Sequence, residues 1–190
     1  VIFAVSALLA GTAFMLLLYV LRTRLLDGAT IDRDLVDRMG TLLIGLIIAD
    51  IAITAIELLI SVVSFHAEVI ETWQVIMFGE MSWSFWWFMI GAAWVFPLVL
   101  LTNKSWRRQP SVAVVAALSI AMGVVGVRFN LVVPAQILPV LEGLPHGSYF
   151  PTAVEWVSSF GIMGVGLLLY TIGAEILPLT PLPETESDTQ

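Results

Sequence analysis

Cysteine is absent from the 190 residues. That excludes a disulfide, a thiolate metal site and a cysteine-ligated iron–sulfur cluster within this chain. Lysine occurs once, at Lys104, and the net charge is −7. No basic patch or stripe exists, so nucleic acid is not a partner. Histidine occurs only at His66 and His146, and neither falls inside an apolar stretch. Haem held by histidines on facing membrane helices is therefore not expected. Charge of either sign is scarce: 12% of residues are charged, where a soluble domain has about a quarter. Apolar residues take their place, at 59%. This composition is that of an all-α integral membrane protein.

Five apolar stretches reach the roughly 20 residues that a hydrocarbon core requires. They cover residues 1–21, 40–63, 83–101, 111–133 and 153–177. They predict five transmembrane helices in a helical bundle over residues 1–177. A short acidic tail, residues 178–190, follows with the composition of a disordered segment. The chain opens at Val1, already inside an apolar run and without a charged lead-in. That opening predicts a fragment whose N-terminal part lies elsewhere.

The basic residues set the orientation. Loops 22–39 and 102–110 hold seven of the eight Lys and Arg, whereas loops 64–82 and 134–152 hold none. By the positive-inside rule the two basic loops and the C-terminus are cytoplasmic, and the other two loops face outward.

The second stretch carries the chemistry. Asp50 and Glu57 are seven apart, Thr54 lies between them, and Ser61 and Ser64 continue the series. Offsets of 4, 7, 11 and 14 from Asp50 keep to one side of a helix. A greasy helix thus has one polar stripe, confined to its outer half because the earlier stripe positions are Leu43, Leu46 and Ile47. Carboxylates inside a membrane are costly and normally face a protein interior or a water-filled cavity. Asp50 falls near mid-membrane, and Glu57 about 10 Å further out at 1.5 Å rise per residue. In the fourth stretch Arg128 is the sole charge, at a depth similar to that of Glu57. The expected arrangement is a Glu57–Arg128 ion pair with Asp50 as the deeper, titratable group. Thr54 and Ser61 complete this proton path. The bland alternative is a buried polar network that only ties helices together.

The remaining polar and aromatic residues have simpler readings. Trp73, Trp83, Trp86, Trp87 and Trp156 suit an outer aromatic belt, and Trp106 an inner one. Trp94 lies deep in the third stretch and reads as packing; Pro97 is expected to kink that helix. Thr152 and Glu155 form a T-x-x-E capping box ahead of the last stretch. His66, Asn130, Tyr149 and Glu155 all fall on the outer side and make a second candidate group there.

The run from Arg128 to Leu144, RFNLVVPAQILPVLEGL, is followed by Ser148-Tyr149-Phe150-Pro151-Thr152 and then Glu155-Trp156 with a glycine-rich final stretch. Together with Arg128, Asn130, Pro134, Tyr149, Pro151 and Glu155, the upstream Glu57, Phe78-Gly79, Phe85-Trp86-Trp87 and Pro97 resemble the NrfD/PsrC family. These are the multi-span membrane subunits of polysulfide-reductase-type complexes. The resemblance covers most of the chain. It implies the later part of a larger subunit built as two helical bundles, in a prokaryotic plasma membrane. It further implies electron exchange between a membrane quinone, menaquinone or another, and a four-cluster ferredoxin-like iron–sulfur subunit. An external catalytic subunit, in many members a molybdopterin protein, completes such complexes. Much of the quinone pocket would come from the N-terminal bundle. Quinone reduction takes a proton for each electron, which gives an outward-opening carboxylate stripe a task.

Two rival readings stand beside this one. A transporter would show broken helices and internal repeats around a mid-membrane site, and only Pro97 interrupts a stretch here. A purely structural anchor would use the acids as glue.

Overall fold

Lipid offers no partner to backbone N–H and C=O groups, so an apolar stretch in a membrane must bond internally as a helix. The computed structural model describes residues 2–24, 30–63, 67–79, 82–133 and 151–176, and all its regular elements among these are helices. They are α1 (Ile2–Arg22), α2 (Arg33–Val63), α3 (Ala67–Phe78), α4 (Ser84–Thr102), the single turn α5 (Lys104–Arg107), α6 (Pro110–Val132) and α7 (Ala153–Ile176). Five of them, all but α3 and α5, are long and apolar enough to cross a membrane. The acidic tail lies outside the described residues. Residues 1–147 and 148–190 form two separate units.

In the first unit α1 packs on α2 and α6, and α4 packs on α6 and α2. The buried faces show the spacing that sustains such contacts. On α1 they are Leu9, Ala13, Leu16 and Val20; on α2 they are Val36, Gly40, Leu43, Ile47, Asp50 and Thr54. Steps of three and four keep a face turned to its neighbours along the whole helix.

The ends that carry the basic residues are fixed by charge. Asp32 caps α2: its Oδ1 accepts from the Asp34 N–H at 2.8 Å and the Leu35 N–H at 3.3 Å. Helix α2 therefore starts at Arg33, well inside the stretch expected to be a linker over 22–39. A side-chain cap and an acid in the first turn outweigh the polarity of this segment. Arg107 Nε donates to Asp37 Oδ1 at 2.7 Å, and Arg108 Nη2 to Asp34 Oδ1 at 2.7 Å. Gly40 lets the Arg107 stem pass, since a Cβ there would lie 2.6 Å from Arg107 Cγ.

The outer loop expected over 64–82 contains α3. Ile76 is buried, and Trp73 and Met77 pack on the core. Their spacing of three and four gives a helix too short to span and apolar on one side only. Trp73 Nε1 donates to Ser61 Oγ at 3.3 Å, tying α3 to the end of α2.

Helix α4 has two parts. Ser84–Val95 is wound as a π-helix, and the Phe96 N–H still reaches back five residues to the Gly91 carbonyl. Phe96–Thr102 is α-helical, with Pro97 buried in its first turn. Proline has no N–H to give, and in the π pattern its acceptor would be the Ala92 carbonyl. That carbonyl accepts from Ser119 Oγ of α6 at 2.7 Å instead. Two glycines bring α6 this close: a Cβ on Gly123 would collide with the Ala93 backbone, and one on Gly126 with Phe88 Cβ.

In the second unit α7 opens with a capping box. Thr152 Oγ1 donates to Glu155 Oε2 at 2.9 Å, and the Glu155 N–H to Thr152 Oγ1 at 3.4 Å.

These glycines give a stability test. Gly123→Leu should cost about 1–3 kcal/mol or more through forced separation of α4 and α6. Gly45, where an added Cβ meets nothing within 4 Å, should tolerate Ala or gain about 0.5–1 kcal/mol from reduced backbone freedom. Thermal unfolding of the detergent-solubilised protein reads both, as a lowered midpoint for the first and an unchanged or raised one for the second.

Candidate functional site

The bundle's interior is apolar, so a polar side chain there stands out by its bonds. Asp50 is 4% exposed and faces α4 from α2. Its Oδ2 accepts a hydrogen bond from Trp94 Nε1 at 2.9 Å. Trp94 is itself buried. Its ring fills the core while its one polar atom meets the carboxylate, the usual need of a buried indole. Asp50 Oδ1 is buried and has no hydrogen-bond partner among the described residues.

The rest of the stripe is used differently. Thr54 Oγ1 donates to the Asp50 carbonyl at 2.9 Å, and Ser61 Oγ to the Glu57 carbonyl at 2.8 Å. Both hydroxyls thus bond back to their own helix, four residues earlier. Glu57 is exposed on the surface of this unit. An offset of seven drifts by about 20° per repeat on a straight helix. Asp50 already sits at the margin of the buried face, so Glu57 slips past it.

The structure does not bring Arg128 and Glu57 together. Arg128 Nη2 donates to Ser6 Oγ of α1 at 2.9 Å. Its guanidinium lies 4.5 Å from the centroid of the Phe3 ring, within the range of a cation–π contact. Depth alone matches the two residues, whereas the direction each faces decides the partner: Arg128 turns to α1.

Asn130 continues the α4-facing stripe of α6, following Ser119, Gly123 and Gly126 in steps of four, three and four. It is 5% exposed, and neither its Oδ1 nor its Nδ2 has a partner among the described residues. Ser84, at the start of α4, is 1% exposed and its Oγ is equally unpaired. The Trp83 and Phe129 rings, 6.0 Å apart, place these neighbouring residues at one level. Trp83 also meets Phe88 edge-on at 5.8 Å. This end of the α4–α6 pair thus buries two unpaired polar side chains near aromatic rings.

His66 and Tyr149 lie outside the described residues. Glu155 is exposed on α7 and engaged in the capping box. No three acidic or histidine side chains among the described residues are placed to hold a metal ion.

Two residues of the site carry little signal in the sequence. Trp94 reads there as packing, although a mid-span indole opposite a mid-span carboxylate is a donor facing an acceptor. Ser84 gives no signal, because one serine at a helix start is common.

Residues 1–140 match the family model described as polysulphide reductase, NrfD. A selenate reductase subunit of Mesobacillus selenatarsenatis is 34% identical over 189 residues, covering 94% of this chain and 43% of that protein. The chain therefore spans less than half the length of that relative. No solved structure matches.

The Asp50–Trp94 bond should be measurable as stability. Trp94→Phe keeps most of the volume but leaves a buried carboxylate oxygen unpaired, at a cost of about 1–3 kcal/mol. The thermal midpoint of the purified protein should fall accordingly, and Trp106→Phe, at an exposed tryptophan, should not move it.

Proposed function

The chain belongs to the NrfD polysulphide reductase family, and on that premise we propose that it forms part of the membrane subunit of a respiratory oxidoreductase complex. In this reading the complex exchanges electrons between a membrane quinone and an iron–sulfur partner of the four-cluster ferredoxin type, which serves an external catalytic subunit. The relative's name, which makes it one subunit of a selenate reductase, supports a place among partners of this kind. The basic inner loops support a cytoplasmic C-terminus.

Asp50 carries the reading, because it is a buried mid-membrane carboxylate with one oxygen bonded to Trp94 and the other without a partner among the described residues. A bound quinone would take up or release one proton with each electron. Trp94 fixes Oδ2 and so orients the carboxyl group. Oδ1 is the atom at which a proton is held and passed on. Leu43, Ile47 and Ala93 exclude bulk water around it. At the outer end, Asn130 and Ser84 fit a quinone ring: they have free donors for a ring oxygen, and Trp83, Phe88 and Phe129 present flat faces beside them. Arg128, held by Ser6 and two residues before Asn130, keeps a positive charge at that end.

One observation favours a second reading. Asp50 ties α2 to α4, Thr54 bonds back to the Asp50 carbonyl, and Ser61 takes the Trp73 indole of α3, as in a structural anchor. Two variants of the complete complex separate the readings. Asp50→Asn can retain an acceptor for Trp94 but cannot titrate, and should lower quinol-dependent turnover about a hundredfold, the low end of general acid–base effects, with subunit content unchanged. Trp94→Phe keeps the carboxyl group and should lose less activity than stability. Full turnover in Asp50→Asn, with loss of assembly in Trp94→Phe, would establish the anchor instead.

A further inference from the structure

The inner end of the α1–α6 pair contains an open cleft of about 230 Å³, lined by Leu17, Val20, Leu21, Arg24, Ser111 and Val114. Four of these six are apolar, and they form a slot along the helices. Arg24 stands at the mouth, just past the end of α1. It is exposed, and among the described residues it makes no ion pair. Arg107 and Arg108, on the same side of the bundle, are by contrast committed to Asp37 and Asp34. Arg24 is thus a cation left available beside an apolar slot.

The opposite lip of the cleft is the first turn of α6. Gln109 precedes that helix without a side-chain cap, and Pro110 begins it. Ser111 adds a hydroxyl at the same place. The start of a helix carries the positive end of its dipole, so both lips of the mouth favour an anion with several oxygen acceptors. The slot behind favours a hydrocarbon chain. One molecule satisfying both is an amphiphile with an acidic phosphate head.

From this cleft we propose that the α1–α6 pair binds an anionic glycerophospholipid, with its phosphodiester on Arg24 and Ser111 and an acyl chain against Leu17, Val20, Leu21 and Val114. Free phosphate would use the mouth but gain nothing from the slot. A zwitterionic lipid would use the slot but bring a second, repelled cation to the mouth. Arg24 stands where a span meets the headgroup layer, on the side the basic loops assign to the cytoplasm. Basic clefts between spans on that side suit anionic headgroups. The wider groove between α1 and α2, about 770 Å³ and lined by residues such as Leu8, Met15 and Leu42, has no charged residue and lacks this selectivity.

The test uses the full complex, delipidated in detergent and titrated with palmitoyl-oleoyl phosphatidylglycerol, phosphatidylcholine or inorganic phosphate. Native mass spectrometry counts bound lipid and thermal unfolding reports stabilisation. Phosphatidylglycerol should fill a site whose affinity drops about fivefold or more in Arg24→Gln, the worth of one juxtamembrane arginine. Val114→Trp, which fills the slot and leaves Arg24 in place, should weaken it as well. Arg38→Gln, at another exposed arginine, should bind as the parent does. The proposal is overturned if Arg24→Gln keeps the parent affinity, if Arg38→Gln loses as much, or if phosphate or phosphatidylcholine protects as well as phosphatidylglycerol.

Discussion

A carboxylate in the middle of a membrane protein must be bonded or it will not stay there. The hydrogen bond from Trp94 to Asp50 meets that demand, and much of the bundle follows from it. It fixes the level at which α4 passes α2. The Arg107–Asp37 pair joins α5, just past the end of α4, to α2 at a second level. A slip of one residue would break both contacts. The two helices are thus set by polar contacts at two depths, with Leu43, Ile47, Ala93 and Leu101 filling the space near them. The same anchoring turns Asp50 away from lipid and leaves its Oδ1 without a partner among the described residues.

The α4–α6 contact rests on size rather than charge. Gly123 and Gly126 bring the two backbones to a distance that no larger residue would permit. Small residues serve this purpose in membranes, where apolar area alone does not drive helices together. The seam formed this way ends at Asn130 and Ser84. A tight seam of small residues thus ends at two buried polar side chains that have no partner among the described residues.

Much of the fold is legible in the sequence because lipid simplifies the code. Length and hydropathy locate the membrane helices, and the intramembrane acid at Asp50 announces itself as an anomaly. Partners are harder to read. Depth pairs Arg128 with the nearest opposite charge, but a guanidinium is equally served by a hydroxyl and an aromatic face, and neither Ser6 nor Phe3 looks unusual in a greasy helix. An idealised repeat assigns Glu57 to the interior, and a small angular drift puts it outside. Helix α3 escapes notice because hydropathy registers helices that span, whereas α3 is short and apolar on one side only. The start of α2 is obscured by its charges, which read as a loop until Asp32 is recognised as a cap. What the sequence leaves open, in each case, is the direction a side chain faces.

The bond between Ser119 and the Ala92 carbonyl bears on the order in which these residues could have been acquired. A serine at 119 is harmless beforehand, since its hydroxyl can bond within its own helix. A proline at 97 without that serine would strand a carbonyl in a region with no water. Acquiring the serine before the proline avoids that state. Once the proline is in place the serine is no longer free to drift, although nothing about it was needed earlier. A residue that is neutral on its own helix thus becomes costly to lose once the other helix carries the proline.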